Sequence, residues 1–406
     1  VADLAFGDLD GDGLDEHVTA RRVSEQGTPR VAIYDDAAPY AELTATADWG
    51  DDFSARGIAA GNFDGDLQEE VVVARDALAE GTARVIVLDD WSAGAVAIRS
   101  LADRWGDGIH ANAVAAADID GDGRSEIAVT RDGANQGLAQ LIVYDDYQTG
   151  FAQYSLGADW GAGARAMDVA FGNADGDPEL ELAVARIGVG DDQPRVIVYD
   201  DLAAGFAQLR AFGQTWGEGI GATSVAFARS RLSEIDDLVV GRDSTAEDTP
   251  RVIVFWWALF NEDHLGADWG AGHYASDVAT GEVDHDLENG DEVLVGRYAS
   301  EGPRVILYAR PGNPVLPHQA VYTEGSDWGG NWYASAVAVR RPRDADADGD
   351  GLLDSWETRG FDADCDGTVD VDLPAYGADP QHKDLFLELD WMTGEPWTKF
   401  EIDTLK

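Results

Sequence analysis

Carboxylates recur along this chain at one spacing. The stretch Asp8-Leu-Asp10-Gly-Asp12-Gly-Leu-Asp-Glu16 places them at positions 1, 3, 5 and 9 of a nine-residue segment. Three further stretches keep the pattern: Asn62, Asp64, Asp66 and Glu70; Asp118, Asp120, Asp122 and Glu126; Asn173, Asp175, Asp177 and Glu181. Several carboxylates in one short turn repel one another unless a cation lies among them. A calcium ion takes ~6–8 oxygen ligands, and a backbone carbonyl at position 7 and water supply those the side chains do not. Hard oxygen donors without nearby His or Cys select Ca²⁺ over zinc or copper, and Asn at position 1 still offers an oxygen. One acidic turn alone is explained by a solvated Asx-rich loop. Four loops in one spacing and register point to several bound calcium ions.

Two related stretches depart from the pattern. Residues 229–237 carry Arg229 and Arg231 where ligands stand elsewhere, so no metal is expected there and a guanidinium is expected to fill the space. The sixth stretch has Glu282, Asp284 and Asp286, then extra residues before Asp291 and Glu292, which predicts an altered site. Further on, Asp346, Asp348, Asp350, Asp354 and Glu357 occupy positions 1, 3, 5, 9 and 12 of a segment with Gly351 at position 6. That is the 12-residue EF-hand pattern, whose last acid binds with both oxygens. Asp362, Asp364, Asp366 and Asp370 repeat its first four positions, but Leu373 stands at position 12.

The elements that position these acids follow from a repeat. Arg30-Val-Ala-Ile-Tyr-Asp-Asp36 returns at Arg84, Gln140 and Arg195, and more weakly at Arg251 and Arg304, at intervals of 53–56 residues. Trp-Gly recurs in step at Trp49, Trp105, Trp160, Trp216, Trp269 and Trp328. Within each repeat the apolar runs are short and β-branched, with Gly, Asp and Pro between them, which predicts four strands and leaves no room for a helix. Repeat 1 reads as strands at 4–6, 17–20, 31–34 and 41–46. Six such repeats predict an all-β chain, a β-propeller of six four-stranded blades over 1–341 with repeats starting near 1, 55, 111, 166, 222 and 275. Residues 334–340 form one extra strand; either six blades close directly, or this strand begins a seventh. A calcium-binding linker follows at 342–376, and 377–406 reads as the start of a further domain or a C-terminal extension.

The acidic loops, each opened by residues such as Phe6-Gly7 or Phe171-Gly172, resemble the FG-GAP/VCBS repeats of integrin α-subunit heads and secreted bacterial proteins. That resemblance spans about 1–340 and implies hairpin loops holding mainly structural calcium. The later segment is similar to EF-hand-like and thrombospondin-type-3-like linkers of secreted bacterial proteins. Some similar proteins continue into a zinc peptidase, but His-Glu-x-x-His is absent from these residues.

Composition narrows the partners. The 406 residues carry 78 Asp and Glu against 28 Lys and Arg, a net charge of −50, which argues against nucleic acid and anionic membranes and for metal cations. An apolar fraction of 45% suffices for a core, whereas a disordered acidic tail would lack it. No apolar run reaches the ~20 residues of a membrane span. A single cysteine, Cys365, excludes an intrachain disulfide framework. Lysine occurs only at 383, 399 and 406; elsewhere arginine is the sole fixed cation. Val1 already begins a strand-like pattern, so the natural chain is expected to start upstream. The Trp-Gly pairs are expected to pack between blades, with a sugar-stacking ring as the alternative. Arg21, Arg75, Arg131, Arg186, Arg242 and Arg297 are expected to pair with acids of the same or the adjacent blade, such as the Asp preceding Trp-Gly, with an anion-binding ring at one mouth of the channel as the alternative. The paired aspartates 35/36, 89/90, 145/146 and 200/201 are expected to end strands and solvate turns, with surface cation sites the alternative. No catalytic constellation is legible, so the expectation is a secreted or cell-surface, non-catalytic binding, adhesion or scaffold module with a protein or glycan ligand. The alternatives are an accessory part of a secreted hydrolase and a structural or filament protein that self-associates.

Overall fold

The computed structural model describes residues 2–339 apart from 11–14, 23–28, 36–41, 46–48, 50–52, 67, 78, 90–96, 133–137, 162, 178, 189, 191, 231–234, 257–260, 282, 284–290, 300, 311–316 and 327–332; beyond 339 it describes only 371, 373–378 and 382. The chain divides into two units, Val1–Pro342 and Arg343–Lys406. In the second unit the described residues include one helical turn, Leu373–Tyr376. Both EF-hand-like stretches, 346–357 and 362–370, and the extension apart from 377, 378 and 382, lie outside the described residues. Among the described residues no helix is long and apolar enough to cross a membrane.

The first unit is a β-propeller of six blades, each an antiparallel sheet of four strands in chain order. The inner strands are Asp3–Gly7, Ala55–Gly61, His110–Ala117, Arg165–Gly172, Ala222–Ala228 and Tyr274–Gly281. Burial explains the residue choice strand by strand. Second and third strands such as Glu70–Arg75 and Val85–Leu88 are buried throughout, because neighbouring blades cover both faces. They read as continuous β-branched runs rather than alternating ones. Fourth strands lie at the rim: Gln319–Glu324 is exposed along its whole length. Each apolar cluster is a layer between two blades; Val85 and Val87 of blade 2, for example, pack with Ile127 and Val129 of blade 3.

Inner strands are rich in Ala and Gly because they approach one another closely. A Cβ on Gly57 would lie 2.9 Å from Cα of Ala113, and one on Gly172 would lie 2.2 Å from Cγ of Phe227. Side chains of these strands also pin each blade to the next. Ile58 N–H donates to Asp3 Oδ2 (2.9 Å), and Val225 N–H donates to Asp168 Oδ2 (2.9 Å). Residues 333–339 take the place of a further inner strand. Val337 N–H donates to Asp277 Oδ2 at 2.8 Å, the same pin one blade on, and Ser276 Oγ donates to Ala334 O. No ladder partner for 333–339 occurs among the described residues.

The recurrent arginines form two structural sets, and among the described residues neither is the expected salt bridge to the Asp before Trp-Gly. Arg75, Arg131, Arg186, Arg242 and Arg297 lie over the rings of Trp49, Trp105, Trp160, Trp216 and Trp269 at 4.4–5.2 Å. A guanidinium stacks on the π-face while its edge stays free to donate, here to carbonyls such as Pro250 O from Arg242 (3.0 Å) and Pro303 O from Arg297 (3.0 Å). The arginines that open the third strands of blades 2, 4 and 5 are fully buried and hold the Trp-Gly turn: Arg84 donates to Gly106 O (2.6 Å), Arg195 to Gly217 O (2.8 Å) and Arg251 to Gly270 O (2.7 Å). Trp105 and Trp269 are each 8% exposed with a guanidinium on one face, which leaves little ring for a sugar. Cavities of about 810 Å³ beside Trp269, His273 and His318 and about 450 Å³ beside Trp105 and Arg131 sit at this same motif.

Candidate metal centres

Each acidic loop is a hairpin between an inner strand and the second strand of its blade, and loops 2, 3 and 4 share one wiring. The position-1 oxygen accepts from the glycine at position 4: Asn62 Oδ1 from Gly65 (2.6 Å), Asp118 Oδ1 from Gly121 (2.7 Å), Asn173 Oδ1 from Gly176 (2.7 Å). Those glycines have φ of 88°, 76° and 96°, a region that favours residues without a Cβ. Position 3 accepts from the N–H at position 5: Asp64 from Asp66 (3.1 Å), Asp120 from Asp122 (3.2 Å), Asp175 from Asp177 (3.2 Å). Position 5 accepts from position 7: Asp66 from Gln68 (2.8 Å), Asp122 from Arg124 (2.9 Å), Asp177 from Glu179 (3.2 Å). These Asx turns curl the backbone so that carboxylates converge. Ligand-capable oxygens lie within 4.8 Å of one another in the sets Asp8, Asp10, Glu16; Asp64, Asp66, Glu70; Asp118, Asp120, Asp122; and Asp175, Asp177, Glu181.

The glutamate at position 9 starts the second strand and is buried. One of its oxygens accepts the N–H at position 2: Leu9 to Glu16 (2.7 Å), Phe63 to Glu70 (2.6 Å), Ile119 to Glu126 (2.8 Å), Ala174 to Glu181, and in blade 6 Val283 to Glu292 (2.8 Å). The other oxygen, Oε1, of Glu70, Glu126 and Glu181 is buried and accepts no hydrogen bond among the described residues. An ionised oxygen so placed is costly unless a cation meets it. A hard divalent ion among the convergent acids fits that orphaned atom, so the donor set suits calcium.

Without a cation the glutamates resist ionisation. Burial pushes Glu70 and Glu126 up to about 8 and Glu181 up to about 7, the aspartates of each loop add to the shift, and the position-2 N–H opposes it. Burial likewise raises Asp3 to about 7 and Asp168 to about 6 at the blade pins. A folded-state value above the unfolded one gives stability that is fully present below the unfolded value and is lost as pH rises through the folded one. The melting temperature of the metal-free chain is therefore expected to fall between pH 5 and 8, and a flat or rising profile in chelator contradicts this.

Among the other acids named from sequence, Asp12, Glu282, Asp284 and Asp286 lie outside the described residues, as do Asp346, Asp348, Asp350, Asp354, Glu357, Asp362, Asp364, Asp366 and Asp370. In loop 5 the guanidinium of Arg310 stands at the acid site, and Arg231 lies outside the described residues. Arg310 Nη2 donates to Asp237 Oδ2 at 2.9 Å, both residues are 4% exposed or less, and the guanidinium lies 4.4 Å from the Trp256 ring centroid. Arg229 instead meets Asp291 (3.7 Å). Register would have found this residue: Arg310 falls where repeats 1–4 place the second Asp of Asp-Asp. The loops are also linked sideways. Glu69 N–H donates to Asp8 O (2.8 Å), Ser125 to Asn62 O (2.6 Å), Asp236 to Asn173 O (2.7 Å) and Asp291 to Arg229 O (3.2 Å). Gln68 Nε2 reaches Asp10 O (3.0 Å), and Arg124 Nε reaches Asp64 O (3.2 Å).

Residues 110–150, which hold the inner strand, acidic loop, and second and third strands of blade 3, match the FG-GAP repeat family. No curated protein matches the chain. Among solved structures, the Dos1 propeller is similar at 11% identity and a TM-score of 0.45, covering 82% of this chain and 71% of that one. The rhamnogalacturonan lyase PL11 of Bacillus licheniformis is similar at 16% identity and a TM-score of 0.35, covering 63% of this chain; this chain spans 49% of the lyase. Raptor of Chaetomium thermophilum is similar at 14% identity and a TM-score of 0.38, covering 66% of this chain and 21% of Raptor.

Proposed function

We propose that this chain is a calcium-stabilised, non-catalytic β-propeller, a binding or scaffold module of a secreted or cell-surface protein. The observation that carries the reading is the buried position-9 glutamate, whose Oε1 in Glu70, Glu126 and Glu181 has no hydrogen-bond partner among the described residues and stands beside convergent aspartates. Calcium bound there supplies positive charge and a fixed coordination sphere. The chain's residues do the rest. Asx turns hold the acids inward, Oε2 of the glutamate clamps the start of the loop, and the lateral hydrogen bonds carry that order to the neighbouring blade. Carboxylates committed to backbone turns in this way suit a metal cradle better than acid–base catalysis. The FG-GAP match in blade 3 supports the extracellular setting. The net charge of −50 favours cationic or calcium-bridged ligands over anionic ones.

Calorimetric titration of metal-stripped protein with CaCl₂, paired with thermal melts, tests the reading. Uptake of several ions with a large rise in melting temperature is expected, because a ligand bound only by the folded state stabilises it. A melting temperature that does not fall in chelator sinks it.

A further inference from the structure

We propose that the first aspartate of the Asp-Asp pair is an additional calcium ligand lying outside the loop, Asp145 in blade 3; this rests on the calcium reading above. A carboxylate oxygen of Asp145 lies within 4.8 Å of ligand oxygens of both Asp120 and Glu126. Asp145 is 7% exposed and Glu126 is 1% exposed, and Glu126 Oε1 is buried there without a hydrogen-bond partner. Asp145 Oδ1 accepts Asp146 N–H at 2.8 Å, which fixes the carboxylate, and Asp200 Oδ1 accepts Asp201 N–H in the same way at 3.1 Å. The second aspartate does different work: Asp146 Oδ1 caps the following turn by accepting Thr149 N–H at 3.0 Å. The pair thus divides between a turn cap, as its sequence suggests, and an acid turned toward the loop.

Register within the chain points the same way. The position of Asp145 holds Asp35, Asp89 and Asp200 in the other three repeats whose loops carry acids or Asn at positions 1, 3, 5 and 9. It holds Trp256 in repeat 5, whose loop has lost its ligands, and Ala309 in repeat 6, whose loop is irregular. A strand-ending role alone would not track the completeness of a loop elsewhere in the blade. With Asp145 as ligand, the ion joins the third strand to the hairpin of the first two, so each ion spans three strands of its blade.

Asp145→Asn in the full chain tests this, read by CaCl₂ titration of stripped protein and by melts with and without calcium. One site is expected to weaken about tenfold or more, the effect typical of losing a supporting carboxylate at a metal, while the remaining sites keep their affinity. The chelated variant is expected to melt no lower than the parent, since a repelling charge is gone, and to gain less on calcium addition. Asp200→Asn reads the same effect in blade 4 should the first variant fail to fold. A titration that superimposes on the parent's, while Asp120→Ala loses a site, overturns the proposal and leaves the calcium reading standing. An equal loss of melting temperature with and without calcium also overturns it. If the parent takes up no calcium, the underlying reading fails and the proposal with it.

Discussion

Arg84→Lys is expected to destabilise the propeller by about 3 kcal/mol or more, although charge is kept and the side chain is nearly as long. Arg84 is completely buried, and its three nitrogens serve six carbonyls. Nε donates to Ala77 O (3.0 Å) and Ile109 O (2.9 Å), Nη1 to Thr82, Ala102 and Asp103, and Nη2 to Gly106. An ammonium gathers its donors on one atom and cannot span that fork. Carbonyls are then stranded in the interior at about 1–3 kcal/mol each. Denaturant unfolding measures the change, with the exposed Arg104→Lys as control, expected within about 0.5 kcal/mol of the parent. Equal behaviour of the two variants refutes the argument. The same geometry accounts for arginine rather than lysine at these recurrent buried positions. The recurrent arginines either fan out over turn carbonyls or lie flat on indoles, and neither task suits a point charge.

Arg310→Met is expected to cost about 3–5 kcal/mol, the usual price of leaving one member of a buried ion pair without its partner. The pair with Asp237 is buried, the guanidinium is stacked on Trp256, and the sequence of the loop beside it has Arg229 and Arg231 where a metal would need oxygens. Added calcium is therefore expected not to restore the variant. Asp237→Leu combined with Arg310→Met is expected to recover most of the loss, because apolar replacement of a whole buried pair is often close to neutral. Melting curves of the single and double variants decide. A single variant as stable as the parent, or one rescued by calcium, rules out the guanidinium as the local counter-charge.

The repeat, the strand count and the loop wiring were legible in the sequence because each is local. Period-specific apolar runs, Gly at the left-handed position and Asp two residues apart encode their own geometry, as the matching turns at Asn62, Asp118 and Asn173 illustrate. Contacts between repeats were harder to read. The salt bridges expected for Arg131 and Arg186 proved to be stacking on Trp105 and Trp160, since a guanidinium between two blades meets an indole before it meets solvent. The Arg310–Asp237 pair joins residues 73 apart in sequence, and no window of a single repeat contains both. Asp145 was visible as one of a pair of turn residues, but its approach to Asp120 and Glu126 depends on how the third strand passes the loop.

The sideways hydrogen bonds between loops also set a timetable for a chain that emerges from one end. Asp8 O is satisfied by Glu69, Asn62 O by Ser125 and Asn173 O by Asp236, so these three loops are each finished by a residue of the blade made after them. Because every blade leans only on its neighbours, order spreads stepwise along such an array. A nascent propeller would thus complete its loops one blade late, with the newest loop always open to exchange. Blade 5 waits in a different way: the guanidinium that meets Asp237 at 2.9 Å is the side chain of Arg310, a residue made with the blade that follows.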